Sequence, residues 1–351
     1  MKSFAVDELL NSKTEPYFKE VDGAIPPMGE RDLCVQVKAI SINPLDTKRR
    51  ALDQVSQSAQ VPRILGWDAS GIVKSIGAKV SLFNVGDEVY YAGEITRQGS
   101  YAEFQVVDER IVGHKPKSLT FERSAALALT SITAWEGLFE RLRIPSVSLS
   151  SELSSEQHHS AQKTILIIGG AGGVGSMAIQ LAKKVARLNV IATASRPQSV
   201  EWCQMMGADH VIDHTLDLVA QVRAMGLKHV DHVFILNDTD QHFAASCELI
   251  APQGLICSIV PNQNALNMDV LRAKSAGFVW EAMFVRSKDR TPDMIEQHHL
   301  LNEVSRLIDL GVLKNTTTKV YSPIDANHLR LAHLDLQSHR AIGKIVLEGF
   351  G

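Results

Sequence analysis

A glycine-rich turn between two apolar segments constrains the fold of this chain more than any other feature. Residues 165–184 read ILIIGGAGGVGSMAIQLAKK and contain five glycines. A membrane-spanning helix needs roughly twenty apolar residues, and so many glycines argue against one. Residues 165–168 are apolar and mostly β-branched, whereas helical spacing begins at Val174. The segment therefore predicts a strand, a tight turn and a helix.

Three glycines of this turn, Gly170, Gly172 and Gly175, have the spacing G-x-G-x-x-G. In dinucleotide-binding turns the first glycine allows the sharp bend, the second lets the backbone approach a pyrophosphate, and the third lets the helix pack on the strand. The unpaired N–H groups of the helix start then face the phosphates. We expect these three residues, with Gly173 and Val174, to bind a dinucleotide. A glycine turn that binds nothing is the alternative.

The sequence after the turn indicates which dinucleotide is bound. Residues 189–194 and 208–214 predict the next two parallel strands, with a helix over 198–206 between them. An NAD site usually has Asp or Glu about twenty residues after the fingerprint. Here that position holds Ser195, followed by Arg196. A hydroxyl and a guanidinium suit a 2'-phosphate, so NADPH is predicted, although a solvated Arg beside a helix-capping Ser is the alternative.

Composition limits the class of partner. The formal net charge is -3, with 45% hydrophobic and 21% charged residues, so nothing points to nucleic acid or an anionic membrane as a partner. The first residues lack a signal-peptide core, which predicts a cytoplasmic protein. Four cysteines are far apart in apolar contexts, so we expect reduced, buried thiols rather than disulfides or a zinc cluster.

Two histidine doublets do not have the spacing of a metal site. His298 and His299 fall in a predicted helix, where adjacent side chains point in different directions. His158 and His159 fall in the polar segment 146–162, which has the composition of a surface excursion. We expect all four to be surface residues rather than metal ligands.

The order of predicted elements indicates an α/β chain with two domains. Before residue 125 many short alternating strands predict a barrel-like, mainly antiparallel unit. Strands and helices then alternate, which is typical of a doubly wound parallel sheet. Residues 277–285, GFVWEAMFV, suggest an edge strand, and a long helix follows over 293–310. The final strand, KIVLE at 344–348, is expected to return to the first unit.

Several motifs occur in the order found in one superfamily: INPLDTKRR, LGWDASGIVKSIG, VGDEVYYAG, LTSITAWEGL, GGAGGVG and RAIGKIVLE. The chain resembles the medium-chain dehydrogenase/reductases, and within them the quinone oxidoreductase and zinc-type alcohol dehydrogenase-like branch. The resemblance implies a GroES-like, mainly β catalytic domain over 1–124 and 314–351. It also implies a Rossmann NADPH-binding domain over 125–313, and a homodimer formed through the 277–285 edge.

The resemblance also implies where zinc would bind, and this chain departs from that pattern. The superfamily's zinc alcohol dehydrogenases have a ligand Cys where this chain has Asn43, and a ligand His followed by Glu where it has Trp67 and Asp68. Asn and Trp do not replace thiolate and imidazole as zinc ligands, so no metal is expected. Asp46 is interpreted as a structural hydrogen-bonding residue, and Asp68 as an acid at the edge of a pocket or core.

Without a metal, reduction of a quinone or an α,β-unsaturated carbonyl is favoured over oxidation of a simple alcohol. Negative charge then develops on a conjugated oxygen, which hydrogen-bond donors stabilise. We expect those donors to be the amide of Asn43 and the ammonium of Lys48, although relatives commonly have Tyr at the latter position. A zinc-type alcohol dehydrogenase and a nucleotide-binding protein with little catalysis are the alternatives.

The resemblance carries further residues into the predicted site. The additional cofactor contacts are Thr130, Thr133, Ser199, His214, Asn237, Ile259, Val260 and Lys344. Asn237, Ile259 and Val260 follow strands, at the sheet edge where ligands of open α/β sheets bind. The expected lining of an apolar substrate pocket is Trp67, Met283 and Phe284, with ordinary core packing as the alternative.

Overall fold

The computed structural model describes residues 1–6, 18–53, 63–146 and 162–350, with the side chains of 50–53 excepted. His158, His159 and most of the polar segment 146–162 lie outside the described residues. Contacts between Cα atoms divide the chain into two compact units. The first comprises Met1–Ile132 and Phe284–Gly351, and the second comprises Thr133–Met283.

The first unit is built mainly of short strands. Its amino-terminal elements are β1 (Lys2–Val6), β2 (Phe18–Asp22), β3 (Asp32–Ile42), α1 (Pro44–Asp53), β4 (Ala69–Ile76), β5 (Glu88–Tyr91), β6 (Phe104–Asp108), a 3-10 turn (Glu109–Ile111), β7 (Val112–His114), α2 (Phe121–Ala125) and α3 (Ala128–Trp135). The long strand β3 is buried or half-buried at every residue, so both faces of the sheet are covered along it. The division between the units falls within α3.

The second unit alternates strand and helix. It contains a π-helical segment (Glu136–Arg141), β8 (Thr164–Ile168), α4 (Gly173–Gln180), a second π-helical segment (Leu181–Val185), β9 (Asn189–Thr193), α5 (Pro197–Met206), β10 (His210–Ile212), α6 (Leu218–Ala224), β11 (Val230–Ile235), α7 (Thr239–Leu249), β12 (Ile250–Ser258), α8 (Asp269–Arg272) and β13 (Gly277–Trp280). The chain then returns to the first unit with α9 (Val285–Asp289), α10 (Glu296–Asp309), β14 (Thr317–Tyr321), α11 (Ala326–Gln337) and β15 (Lys344–Glu348).

The predicted doubly wound parallel sheet is confirmed. All its strands are parallel and their order is β10-β9-β8-β11-β12-β13, with fully buried β8 at the centre. This is the strand order of dinucleotide-binding Rossmann folds, in which ligands bind outside the carboxyl ends of the strands. The predicted strand in 277–285 is limited to β13, which lies at one edge of the sheet.

The mainly β first unit is confirmed as well. Its seven-stranded sheet runs β14-β15-β3-β4-β5-β7, and β6 also pairs with β3. The final strand β15 pairs antiparallel with β3, as expected for a chain end that returns to this unit. Its core contains the fully buried aromatic side chains Phe4, Trp67 and Tyr101.

The helix α10 belongs with the first unit by its contacts, whereas the predicted domain limits of 125 and 313 put it in the Rossmann domain. It packs on β7, where a Cβ added to Gly113 would lie 2.6 Å from the Cβ of Leu301. The Tyr90 hydroxyl donates a hydrogen bond to the carbonyl of Leu301, at 2.6 Å. Because α10 packs closely on β7, the contacts assign it to the first unit rather than to the predicted Rossmann domain.

The expectation that His298 is a surface residue was wrong. His298 is buried, and its Nδ1 lies 2.7 Å from the carbonyl of Val112. Its Nε2 accepts from the amide of Asn302, at 2.9 Å, so the ring is neutral and bridges α10 to β7. The pattern of the helix did not reveal this because its partner is far away in sequence. His299 is exposed, as expected.

The cysteines and the apolar content of the helices were also the subject of predictions from the sequence. All four cysteines are free and buried, as predicted. Among the described residues, no helix is both long and apolar enough to cross a membrane. The cytoplasmic location stays a prediction.

Candidate functional site

The glycine turn is fixed to the neighbouring strand by Thr193, the last residue of β9. Gly169 follows β8 with a φ of +91°, a left-handed conformation that favours glycine. Its N–H donates to the Thr193 hydroxyl at 3.0 Å, and the N–H of Gly170 donates to the Thr193 carbonyl at 3.1 Å. The turn between β8 and α4 therefore has a defined shape.

The start of α4 presents backbone donors without acceptors inside the helix. Gly172 precedes the helix, and the N–H of Ser176 makes the first helical bond, to the Gly172 carbonyl at 2.8 Å. The N–H groups of Gly173, Val174 and Gly175 thus precede any intrahelical acceptor. Together with the positive end of the helix dipole, they form a site suited to an anion.

The three glycines of the fingerprint differ in what requires them. A Cβ on Gly175 would lie 2.4 Å from the Gly169 carbonyl oxygen, and one on Gly170 would lie 2.9 Å from the Cβ of Ala192. Protein packing therefore explains both. A Cβ on Gly172 would meet nothing closer than 3.6 Å, and the φ of Gly172 is -72°, which any residue adopts. No contact among the described residues requires a glycine at 172, so a ligand explains it better.

A surface cavity of about 550 Å³ lies beside β9, the strand that follows β8 in the parallel sheet. Ser195 and Arg196 line it, together with Asp213 and Gln221 from the β10 side. Asp213 already accepts hydrogen bonds from the backbone and hydroxyl of Thr215, at 2.8 and 2.7 Å. The structure thus places the predicted Ser–Arg pair at one cavity.

The other predicted cofactor residues of the second unit lie in varied environments. Ser199 is buried and donates to the Arg196 carbonyl at 3.1 Å, which closes the first turn of α5. Asn237 is exposed beside Gly169, because a Cβ on that glycine would lie 3.5 Å from the Asn237 Cβ. Ile259 continues past β12, donating its N–H to Ile235 at 3.2 Å.

Three further residues complete the predicted set for this unit. The Val260 carbonyl accepts from the hydroxyl of Thr239, so this residue lies at the same carboxyl edge as Asn237. Among the described residues, Nδ1 of His214 is buried without a hydrogen-bond partner. Thr133 is buried. In the first unit, the buried Thr130 donates to its own helix, to the Leu127 carbonyl at 3.1 Å.

Four polar side chains form a buried cluster in the first unit: Asn43, Asp46, Asp68 and Lys344, none more than 4% exposed. The Lys344 ammonium lies 2.5 Å from Oδ1 of Asn43 and 3.0 Å from Oδ2 of Asp68, and it also donates to the Ile42 carbonyl. Lys344, predicted to reach the cofactor, is therefore held by a buried ion pair.

Burial changes the protonation of both carboxyl groups in this cluster. It raises the pKa of Asp46 to about 8, although the N–H of Asn43 donates to Oδ2 at 2.5 Å and partly opposes the shift. It also raises the pKa of Asp68, while the Lys344 ammonium opposes this rise. Burial therefore favours the protonated form of Asp46, and it also opposes the ionisation of Asp68 beside the Lys344 ammonium.

The two predicted hydrogen-bond donors to substrate have contrasting surroundings. The Asn43 amide nitrogen already donates to Asp68 Oδ2 at 2.9 Å and to the Trp67 carbonyl at 3.2 Å. Lys48 lies on α1 and is exposed, outside this cluster. The structure therefore does not bring these two side chains together.

The predicted pocket residues are mostly buried. Trp67 is 1% exposed, and its ring packs edge-on against Phe284 with centroids 6.4 Å apart. Phe284 is partly exposed in the first unit, whereas Met283 is buried in the second. Trp67 thus belongs to the core, and Phe284 covers part of it.

The residues at the expected zinc positions do not fit a zinc ion. The Asn43 amide nitrogen donates to Trp67 and Asp68, and its oxygen accepts from the Lys344 ammonium. The Trp67 indole nitrogen donates to the Glu94 carbonyl at 3.3 Å and has no lone pair for a metal. Asp68 is of a ligand type, but the Lys344 ammonium beside it would repel a divalent cation. Among the described residues, no group of three or more His, Cys, Asp or Glu side chains could hold a metal.

Sequence reasoning missed the pairing of Asp68 with Lys344. Asp68 was expected at the edge of a pocket or core, and it is 1% exposed. The signal was present, since Lys344 is a lone charge in the otherwise apolar run GKIVL. A charge in a buried strand needs a buried partner, but sequence alone does not identify which one.

Replacing Lys344 by Met should lower the free energy of unfolding by about 3–5 kcal/mol at pH 7, because it leaves a buried carboxylate unpaired. Lys344→Met combined with Asp68→Asn should cost less than the sum of the single changes. The control is Lys319→Met, which removes an exposed pair with Asp335 and should cost about 1 kcal/mol or less. Urea unfolding measures all four. Equal costs for the two lysine variants would contradict the buried pairing.

Comparison with known proteins identifies the family. Residues 29–117 match the alcohol dehydrogenase GroES-like domain, and residues 206–347 match the zinc-binding dehydrogenase domain. A zinc-type alcohol dehydrogenase-like protein of Staphylococcus aureus is 40% identical over 347 residues, 99% of each chain. The crystal structure of a Rhizobium etli protein, named provisionally as a zinc-dependent alcohol dehydrogenase, has a TM-score of 0.91 at 44% identity, covering 100% of this chain and 98% of that one.

A more distant relative has a named reaction. The chloroplastic NADPH-dependent alkenal/one oxidoreductase of Arabidopsis thaliana is 35% identical over 197 residues, 54% of this chain and 47% of that protein. Near-complete coverage by the bacterial relatives, both domain matches and the strand order agree on one superfamily. The chain belongs to the zinc-type alcohol dehydrogenase-like proteins of the medium-chain dehydrogenase/reductase superfamily, and it is an oxidoreductase.

Proposed function

We propose that this protein is an NADPH-dependent reductase that transfers hydride to a quinone or an α,β-unsaturated carbonyl without a metal ion. The observation that carries the proposal is Gly172. The protein itself requires no glycine there, yet the residue lies beside backbone donors at the start of α4. A closely approaching pyrophosphate supplies the reason for it.

The preference for NADPH rests on Ser195 and Arg196. No acid stands at the end of β9, where an NAD site has its ribose-binding carboxylate. Both residues line a cavity, and a guanidinium and a hydroxyl provide charge-assisted hydrogen bonds to a 2'-phosphate. The Arabidopsis relative is named for NADPH and for an alkenal or enone substrate, which agrees with both parts of the proposal.

Further cofactor contacts are proposed on residues of each unit. The proposed set is Gly170, Gly173, Val174, Gly175, Ser199, His214, Asn237, Ile259 and Val260, with Thr130, Thr133 and Lys344. When bound, NADPH supplies a hydride to the substrate. The backbone N–H groups hold the phosphates, and the Arg196 guanidinium orients the adenosine end.

The substrate class follows from the chemistry available to these side chains. A conjugated acceptor takes a hydride at carbon and moves negative charge to oxygen, where a cation or an N–H stabilises it and a proton follows. The exposed Lys48 is proposed for this role. To donate a hydrogen bond to the substrate, the Asn43 amide would have to give up its hydrogen bonds to Trp67 and Asp68. We therefore propose that Asn43 orients Lys344 and Asp68 instead. Phe284, which is partly exposed, is the proposed apolar contact of the substrate.

The names of the bacterial relatives favour a zinc alcohol dehydrogenase as the second candidate. Purified protein should oxidise NADPH in the presence of a panel of quinones and enones, and metal analysis should find substoichiometric zinc. Zinc bound at one ion per chain, with alcohol oxidation that stops on chelation, would overturn the proposal. NADPH binding without turnover of any acceptor would leave a nucleotide-binding protein.

Replacing Arg196 by Ala should weaken NADPH binding by roughly tenfold or more, since a charge-assisted contact to the 2'-phosphate is lost. NADH affinity should change by less than about threefold, because NADH lacks that phosphate. Quenching of tryptophan fluorescence measures both. The control is Arg223→Ala, which removes an exposed arginine of α6 that pairs with Glu248. Equal losses for the two cofactors would refute the assignment.

We also propose a homodimer formed through β13. This strand lies at an edge of its sheet, and Trp280 on it is 43% exposed. Exposed edges pair readily with a second copy. Sedimentation should give a mass of twice the 38.5 kDa of one chain. A mass of one chain at micromolar concentration would contradict the dimer.

A further inference from the structure

A serine in the first turn of α4 holds the carbonyl of Gly172 with two hydrogen bonds. The N–H of Ser176 donates to this carbonyl at 2.8 Å, and the Ser176 hydroxyl donates to the same oxygen at 2.7 Å. The side chain of Ser176 is fully buried. One residue therefore supplies two donors to the carbonyl that precedes the helix.

A serine hydroxyl that bonds to the carbonyl four residues earlier is common in helices and by itself indicates no function. Ser246 of α7 makes the same bond, to the His242 carbonyl at 2.7 Å, and is also fully buried. Ser176 differs from Ser246 because the carbonyl that it holds belongs to the glycine turn. Its hydroxyl also has a second partner on another helix.

The second partner of the Ser176 hydroxyl is Trp202, a half-buried residue of α5. The indole Nε1 of Trp202 lies 2.8 Å from Oγ of Ser176. An indole nitrogen only donates, so Oγ accepts this bond and its own hydrogen is directed to the Gly172 carbonyl. The donor and the acceptor of each bond are thus defined from Trp202 through Ser176 to Gly172.

The peptide group between Gly172 and Gly173 transmits this constraint to an N–H of the candidate cofactor site. A trans peptide group is planar, and its C=O and N–H point in opposite directions. Because the Gly172 carbonyl points along α4 towards Ser176, the N–H of Gly173 points out of the helix start. The N–H of Gly172 itself donates to the Gly169 carbonyl at 3.3 Å. Both peptide groups that flank Gly172 are therefore held.

We propose that Ser176 and Trp202 are positioning residues, which fix the peptide group between Gly172 and Gly173 so that its N–H faces the pyrophosphate of the dinucleotide. Their bonds also polarise this N–H, because linked hydrogen bonds strengthen one another. The role rests on the proposed function, since it requires a pyrophosphate at this turn. Neither residue was among those predicted from the sequence.

The two cofactors distinguish this role from that of Arg196. NADPH and NADH have the same pyrophosphate, whereas only NADPH has the 2'-phosphate. Loss of Ser176 or Trp202 should therefore weaken the binding of both cofactors by a similar factor. Loss of Arg196 should weaken the binding of NADPH alone.

Calorimetric titration of Ser176→Ala with NADPH and with NADH tests the positioning role. Both dissociation constants should rise about tenfold, which is the effect of one hydrogen bond of ordinary strength. The matched control is Ser246→Ala, which removes the same kind of bond from α7 and should leave both constants within about twofold of wild type. The two variants should have similar melting temperatures, because each loses one buried helical bond.

Trp202→Phe provides a second variant, which keeps an aromatic ring and removes the indole N–H. Both dissociation constants should rise about threefold when this change is made in wild type. The same change made in Ser176→Ala should have an effect of less than about 1.5-fold, because Trp202 acts through the Ser176 hydroxyl. In turnover assays the KM for NADPH should rise in each variant while kcat stays within about twofold, since neither residue contacts the reacting atoms.

Unchanged affinity of Ser176→Ala for both cofactors would overturn the positioning role, and so would a loss confined to NADPH. Equal losses in Ser176→Ala and Ser246→Ala would also overturn it, because they would show a general effect of removing a helical bond. If Ser176→Ala does not fold, unchanged affinity of Trp202→Phe decides against the role. Wild-type protein that binds neither cofactor would instead reject the proposed function, and the positioning role with it.

Discussion

The candidate cofactor site depends on backbone N–H groups at the start of α4 that have no acceptor within the helix. The Thr193 hydroxyl and carbonyl fix Gly169 and Gly170, and α4 then begins with donors that have no intrahelical acceptor. Glycines at 170 and 175 are needed for the strand and helix to approach, whereas the glycine at 172 leaves space open. A fold that keeps such space at a helix start is suited to bind a phosphate. The proposed binding of a dinucleotide rests on this constraint.

Each unit contains a buried carboxyl group paired with a cation. In the first unit Lys344 bonds to Asp68, with Asp46 in the same cluster, and in the second Arg141 bonds to Glu281. Burial raises the pKa of Asp46, Asp68 and Glu281, because a carboxylate is costly to hold away from water. A carboxyl group with a raised pKa stabilises the fold fully below its ordinary pKa, and this contribution is lost as the pH rises through the raised value, about 8 for Asp46 and about 9 for Glu281.

Sequence patterns predicted the elements whose signal is local. The strand, turn and helix around the glycines, the next strands of the parallel sheet and the return of β15 were all identifiable from spacing and apolar runs. Long-range pairing was not identifiable. The burial of His298 depends on Val112, and Lys344 finds Asp68 across 276 residues. A contact between residues so far apart in the chain produces no periodic pattern in the sequence. His298 was therefore predicted to lie at the surface, and Lys344 was predicted to contact the cofactor.

The residues at the expected zinc positions could be predicted only in part from the sequence. The identities of Asn43 and Trp67 were enough to predict a misfit with zinc, because neither side chain is of a ligand type. The sequence did not predict that the Lys344 ammonium lies there and donates to Asn43 and Asp68; the structure shows this. The name zinc-type does not by itself establish a zinc ion in this chain, because the chemistry of a site depends on its own side chains.

A crystal structure of the NADPH complex tests the central claim most directly. The pyrophosphate oxygens should lie about 3 Å from the N–H groups of Gly173 and Val174, and the 2'-phosphate should lie beside Ser195 and Arg196. No metal should lie next to Asn43. A dinucleotide bound away from the glycine turn, or a ribose held by a carboxylate with no phosphate contact to Arg196, would contradict it.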